Sequence, residues 1–186
     1  MIANATSARA VILVGFMGAG KSSVGRVLAE KLGWIFEDLD RRVERREGKT
    51  VAQIFTDSGE EEFRRLEREA LQDLLSELHA GRYVIALGGG AFVQDSIPLL
   101  IQSAGIPTVF LDAEVEHLLA RCEAESERQG AKRPLLANHE HFRELYEARR
   151  PRYLKASLRK ETEAKTVEQI AVELIQDLGL DKTPRD

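Results

Sequence analysis

The stretch AVILVGFMGAGKSS, Ala10 to Ser23, decides the fold. Its first five residues are apolar without alternation, which suits a strand buried on both faces of a parallel sheet. Gly15 ends that run and opens the pattern G-x-x-x-x-G-K-[ST], completed by Gly20, Lys21 and Ser22. Glycines at these places let backbone N–H groups turn toward anionic oxygens with no side chain in the way, and the helix that follows adds its positive end. Gly18, Ala19, Gly20, Lys21, Ser22 and Ser23 are therefore the phosphate-contacting candidates. The Lys21 ammonium reaches β- and γ-phosphates, and the Ser22 hydroxyl is a ligand for Mg2+. The motif leaves open where the phosphate goes: to water, a protein, a nucleotide or a small metabolite.

Beyond the loop, Val24, Val27, Leu28 and Leu32 recur on one helical face, and Gly33 closes that helix. WIFEDLD (34–40) is a second short strand ending in acids, YVIALGGG (83–90) a third running into glycines, and PTVFLD (107–112) a fourth. A weak last strand falls near Ala156 to Arg159. Between them lie a short helix ending at Gly59 and a long amphipathic one whose stripe is Phe63, Leu66, Ala70, Leu71, Leu74, Leu75 and Leu78. Further helices cover 113–125 and 139–150, the latter stopping before Pro151, and a terminal helix is capped by Thr166. Residues 126–138 have no periodicity and read as a mobile loop. Strands alternating with helices predict an α/β fold: a three-layer sandwich around a parallel sheet of about five strands. Ligands should sit at the carboxyl ends of the strands. With no repeat and no low-complexity linker, residues 1–186 read as one domain.

Lys and Arg number 27 against 31 Asp and Glu, and the resulting net charge of −4 argues against a nucleic-acid partner. Arg41, Arg42, Arg45 and Arg46 form one local group and Arg149, Arg150 and Arg152 another; set among motif residues, such groups are candidates for an anion site. The single cysteine, Cys122, rules out an intramolecular disulfide, reads as a packed small hydrophobe, and suits a reducing, cytoplasmic setting. No apolar run is long enough to span a membrane, and the polar first nine residues lack the core of a signal peptide. His139 and His141 have no third ligand nearby and read as solvated. Phe16 and Met17 read as local packing within the loop. No exposed heptad or large apolar strip compels an interface, so a monomer is expected.

A second acid is needed beside the loop for the metal. Asp38, after the second strand, is favoured, acting through water because Mg2+ gives up its waters reluctantly. Asp112, after the fourth strand, is the competitor, although it immediately precedes a helix and would serve as an N-cap. Asp40 would cap a helix beginning near Arg41.

Five further pieces belong together: DLD (38–40), EFRR (62–65), LGGGA (87–91), RPLL (133–136) and RRPRY (149–153). In this order, and at these distances from the phosphate loop, the chain from about Val11 to Leu178 resembles the shikimate kinases. The resemblance implies a P-loop kinase fold with a mobile lid over about 122–137, an acceptor-binding region over about 38–70, ATP and shikimate as small-molecule substrates, and Mg2+. It implies that Arg64 and Arg149 hold the acceptor carboxylate, a task suited to the planar guanidinium. It also implies that Asp40 accepts from the attacking hydroxyl, that Gly88, Gly89 and Gly90 bring backbone to the substrate, and that Phe63 lines the pocket. Glu67 would orient Arg64. Arg133 would touch the transferring phosphoryl group as an arginine finger supplied in cis, and Arg121 would stack on adenine. The stretch between Arg121 and Arg133 is longer than the compact lid of the family, and Arg128 and Lys132 inside it are alternatives for the phosphate contact. Competing readings are a gluconate kinase, a nucleoside monophosphate kinase, and a nucleotide-binding regulatory module without transfer activity.

Overall fold

The computed structural model describes residues 8–129 and 134–180. In chain order the elements are β1 (Ala10–Val14), α1 (Lys21–Leu32), β2 (Ile35–Asp38), α2 (Leu39–Glu47), α3 (Val51–Ser76), β3 (Tyr83–Ala86), α4 (Ser96–Ser103), β4 (Thr108–Asp112), α5 (Val115–Gln129), α6 (His139–Tyr153), β5 (Leu158–Glu161) and α7 (Val167–Leu178). The five strands form one sheet in the order β2-β3-β1-β4-β5, and every pairing is parallel. β1, β3 and β4 are buried at every residue, as their unbroken apolar sequences require. Helices cover both faces, giving the expected three layers; α1 and α7 pack together on one of them. Leu13 pairs with Ala86, and Ala86 with Asp38, so the carboxyl ends of β1, β3 and β2 finish at one level. That shared rim carries the phosphate loop, Asp38 to Asp40 and Gly88 to Gly90.

Helix ends follow local chemistry. Thr50 and Thr166 each build a capping box, with Gln53 and Gln169 respectively. α3 is two helices meeting at Gly59, whose backbone (φ 80, ψ 176) is not helical, as the sequence requires.

Several expectations are corrected. α2 begins at Leu39, and its N-cap is Asp38, not Asp40; Asp40 lies inside the first turn. α5 continues to Gln129, through Glu and Arg residues that favour helix, so 126–129 is not loop. Pro134–Ala137 form a 3-10 turn. α6 passes through Pro151 and ends at Tyr153. Proline removes one donor there, but Leu154 N–H still donates to Arg150 and Lys155 N–H to Arg152, so the last turn holds. β5 lies two residues later than expected. α4, SIPLLIQS, was not anticipated: an eight-residue helix gives little periodicity, and its proline falls in the first turn, where it costs no hydrogen bond.

Candidate active site

The phosphate loop is held open by its neighbours. Gly18 (φ 78) packs so closely on α5 that a Cβ there would lie 2.6 Å from the Leu118 carbonyl and 2.8 Å from Cys122 Sγ. Cys122 is wholly buried, as a small packed hydrophobe, and its place is under the loop. Phe16 does not pack locally: its ring makes edge contacts with Phe142 (5.0 Å) and Tyr146 (5.6 Å) of α6. Met17 packs against the core. Lys21 Nζ donates to the carbonyls of Gly15 (2.8 Å) and Phe16 (2.9 Å), beneath the loop. Its burial lowers the ammonium pKa to about 8, and the nearby Asp40 and Asp38 oppose that fall.

Ser22 and Asp38 are brought together: Ser22 Oγ donates to Asp38 Oδ2 at 2.7 Å, and Asp38 Oδ1 caps α2 through Arg41 N–H at 3.3 Å. The competitor, Asp112, is spent elsewhere and caps no helix. Its carboxylate, 3 % exposed, accepts from Arg150 (2.8 Å), Arg159 (2.7 Å) and Tyr146 (3.1 Å). Arg150 thereby leaves the anion-site candidates. So do Arg42, Arg45 and Arg46, which pair with Glu37, Glu77, Glu69 and Asp73, and Arg41, which pairs with Glu44. Arg152 pairs with Asp95. His139 and His141 are exposed beside Glu123 and Glu144, and among the described residues no group of three or more His, Cys, Asp or Glu could hold a metal.

Asp40 points into the rim next to Gly88. Its Oδ1 is buried without a hydrogen-bond partner, and so is Oε1 of Glu67 on α3. Both oxygens face the Cα of Gly88, where an added Cβ would stand 3.0 Å from Glu67 Oε1 and closer still to Asp40 Oδ1. Burial raises the Asp40 pKa to about 6, helped by Asp38 and opposed by Lys21 and Arg64. Burial likewise raises Glu67 to about 7, opposed by Arg64. Glu67 does engage Arg64: Arg64 Nη1 donates to its Oε2 at 2.9 Å, Gln94 donates to the same oxygen at 2.6 Å, and Glu60 holds the other side of the guanidinium. The Arg64 guanidinium lies over Phe63 (5.3 Å) and directly against Gly90. Phe63 is buried and its ring packs 4.8 Å from Phe55, a half-exposed residue that the sequence reading missed because it occupies a helix of its own, with no motif around it.

Arg149 sits on α6 above Phe16, 5.9 Å from the ring centroid, with the phenol of Tyr153 near enough to feel its charge. Among the described residues no carboxylate forms an ion pair with it. Gly89 faces the loop, its Cα hydrogen toward Met17 N and Gly15 O. Arg121 is exposed on α5, next to Cys122, with Glu163 close enough to feel its charge. Arg128 is exposed further along the same helix. Arg133 and Lys132 lie outside the described residues.

The family model for shikimate kinase matches residues 17–179. A shikimate kinase of Persephonella marina is 38% identical over 168 residues, 90% of this chain and 97% of that protein. One of Streptomyces coelicolor is 44% identical over 149 residues, 79% of this chain and 81% of the other. Among solved structures, shikimate kinase from Acinetobacter baumannii in complex with shikimate superposes with a TM-score of 0.81 at 35% identity, covering 92% of this chain and 93% of that one. A gluconokinase from Sinorhizobium meliloti has a TM-score of 0.60 at 20% identity over 94% of this chain and 93% of that one, a likeness of fold alone. With the phosphate loop, the Asp38–Asp40 turn, the Arg64–Glu67 pair and the triple glycine gathered on one rim, the chain belongs to the shikimate kinase family.

Proposed function

We propose that this chain, acting as a single catalytic domain, transfers the γ-phosphoryl group of ATP to the 3-hydroxyl of shikimate, giving 3-phosphoshikimate and ADP on the route to chorismate and the aromatic amino acids. One observation carries the reading: a buried carboxylate oxygen without a partner, Asp40 Oδ1, stands on the same rim as two guanidinium groups, Arg64 and Arg149, facing the phosphate loop. A hydroxyl donor completes Asp40, and a carboxylate completes Arg149. Arg64, already fixed by Glu60 and Glu67, presents its remaining donor edge in a set orientation. Phe63 walls the pocket. The Gly88–Gly90 backbone comes within reach because nothing projects from it.

The acceptor oxygen forms its bond to the γ-phosphorus as the β–γ bridging bond breaks, and the hydroxyl proton passes to Asp40. Phosphoryl transfer is mostly positioning and charge stabilisation, so Asp40 contributes orientation as well as basicity. Lys21 moves from its loop carbonyls to the β- and γ-phosphate oxygens, and Gly18 to Ser23 supply the N–H cradle. Ser22 and Asp38 fit Mg2+: they form an all-oxygen pair already in contact, leaving other positions for phosphate and water. Mg2+ neutralises phosphate charge when bound there. Arg121 packs on the adenine, and Arg133 acts on the transferring group from the lid. The chain acts as a monomer in the cytoplasm; its single cysteine, which is buried, suits a reducing setting, and among the described residues no helix is long and apolar enough to cross a membrane.

ADP release with Mg2+ and ATP tests the reading, using shikimate, gluconate, a nucleoside monophosphate mixture or no acceptor. Release with shikimate alone is expected. Release with gluconate would reassign the pocket, and acceptor-independent release or none would remove the kinase reading.

A further inference from the structure

The motif RRPRY contains a residue that the acceptor site does not yet use. Tyr153 is wholly buried, one helical turn after Arg149 on the same face of α6. Its phenol donates its proton to the carbonyl oxygen of Gly89; burial pushes its pKa up, and the Arg149 guanidinium lies close enough to favour the ionised phenol against that burial. Its ring rests against Phe110 of β4, 5.3 Å between centroids, so the hydroxyl has a fixed base. Gly89 in turn lies against the phosphate loop, between the backbone of Gly15 and Met17. Two groups assigned to the acceptor, one on a helix and one on a glycine turn, thus lie beside a single phenol of a buried residue.

We propose that Tyr153 is a positioning residue for the acceptor: its hydroxyl locks the Arg149 guanidinium and the Gly89 peptide into one geometry, so that carboxylate and backbone contacts are set together before substrate arrives. The anchor is needed because, among the described residues, no acid holds Arg149, unlike Arg64, which has Glu60 and Glu67. The face of Phe16 is a further support. A flexible guanidinium fixed by a neutral phenol keeps its full charge for an incoming carboxylate; a carboxylate anchor would compete with the substrate. The Gly89 carbonyl, fixed from one side, also fixes the plane of the peptide that follows it.

The inference rests on the assignment of Arg149 to the acceptor, and the test separates the two. Tyr153→Phe removes one oxygen and adds nothing, a change that a packed core tolerates. The expected result is a KM for shikimate raised about tenfold, the scale of a lost hydrogen bond to a charged group, with KM for ATP within about twofold. In a cycle with Arg149→Lys, the two effects on shikimate KM should be strongly non-additive, Tyr153→Phe costing little once the guanidinium is gone. Equal rises in both KM values, or additive effects, would show a merely structural tyrosine and overturn the proposal. If Arg149→Lys alone leaves the shikimate KM unchanged, the acceptor assignment fails and takes the proposal with it. Tyr153→Met, lacking ring and hydroxyl, provides the second variant: thermal unfolding reports its packing loss, and it must show the same selective KM effect at least as strongly.

Discussion

Replacing Gly88 by alanine should disable the enzyme without unfolding it. Gly88 does not adopt the left-handed backbone, so alanine carries no conformational penalty there. The obstacle is local: the new Cβ would lie 3.1 Å from Asp40 Cγ and 3.0 Å from Glu67 Oε1, with Asp40 Oδ1 nearer than either, whereas ordinary contact begins at 3.4 Å. Asp40 Oδ1 must therefore retreat by about 1 Å, and a misplacement of that size at a reacting group costs roughly a hundredfold in rate. The same overpacking should cost about 1–3 kcal/mol of stability, which for a chain of this length lowers Tm by about 2–4 °C for each kcal/mol. Gly89→Ala is the control for backbone effects, since its nearest atoms stand at 3.6 Å and 3.7 Å; its Tm should stay close to that of the parent. The assay is kcat from ADP release at saturating shikimate and ATP, beside a melting curve. A Gly88→Ala enzyme turning over within threefold of the parent would refute the placement of Asp40 against this glycine.

The free enzyme should have a bell-shaped pH profile. Asp40 must be an anion, and burial raises it to about 6, so kcat/KM should fall as pH drops through about 6. Lys21 must be a cation, and burial lowers it to about 8, so kcat/KM should fall again above about 8; a profile flat from pH 5 to 9 would contradict both assignments. Glu67 bears on stability. Its folded pKa of about 7 lies above the ordinary value of 4.5, so its contribution is fully present below 4.5 and is lost as pH rises through about 7; Glu67→Gln should flatten the pH dependence of Tm in that window. Asp112→Asn should lower Tm, with a loss of about 1–3 kcal/mol as a buried acceptor of two arginines is weakened, while leaving the Mg2+ dependence of turnover unchanged. Ser22→Ala should raise the Mg2+ concentration needed.

Legibility followed the kind of signal. The strands β1, β3 and β4 were readable because burial on both faces leaves an unbroken apolar run, and the phosphate loop because its glycines and lysine are fixed by backbone geometry. At Asp112 the sequence shows only a carboxylate before a helix; its three partners come from α6 and β5, 34 to 47 residues away. The arginines of α2 looked like an anion site for the same reason, since the acids that neutralise them lie largely on β2 and α3. Pro151 reads as a stop in the sequence, but a helix near its end can lose one donor and continue. Arg64 and Arg149 would have passed for surface charges on their own. Family resemblance singled them out, and the geometry adds why they differ: one is held by acids, the other lies over the ring of Phe16 beside the phenol of Tyr153.

The central claim is that Asp40 meets the attacking hydroxyl in a pocket whose binding strength comes mainly from the arginines. Asp40→Asn keeps the size and removes the charge. With calorimetric binding of shikimate and turnover measured on the same preparation, the account predicts a fall in kcat of more than a hundredfold, with shikimate affinity changed severalfold at most. A variant that binds as the parent does and turns over within tenfold of it would contradict the account.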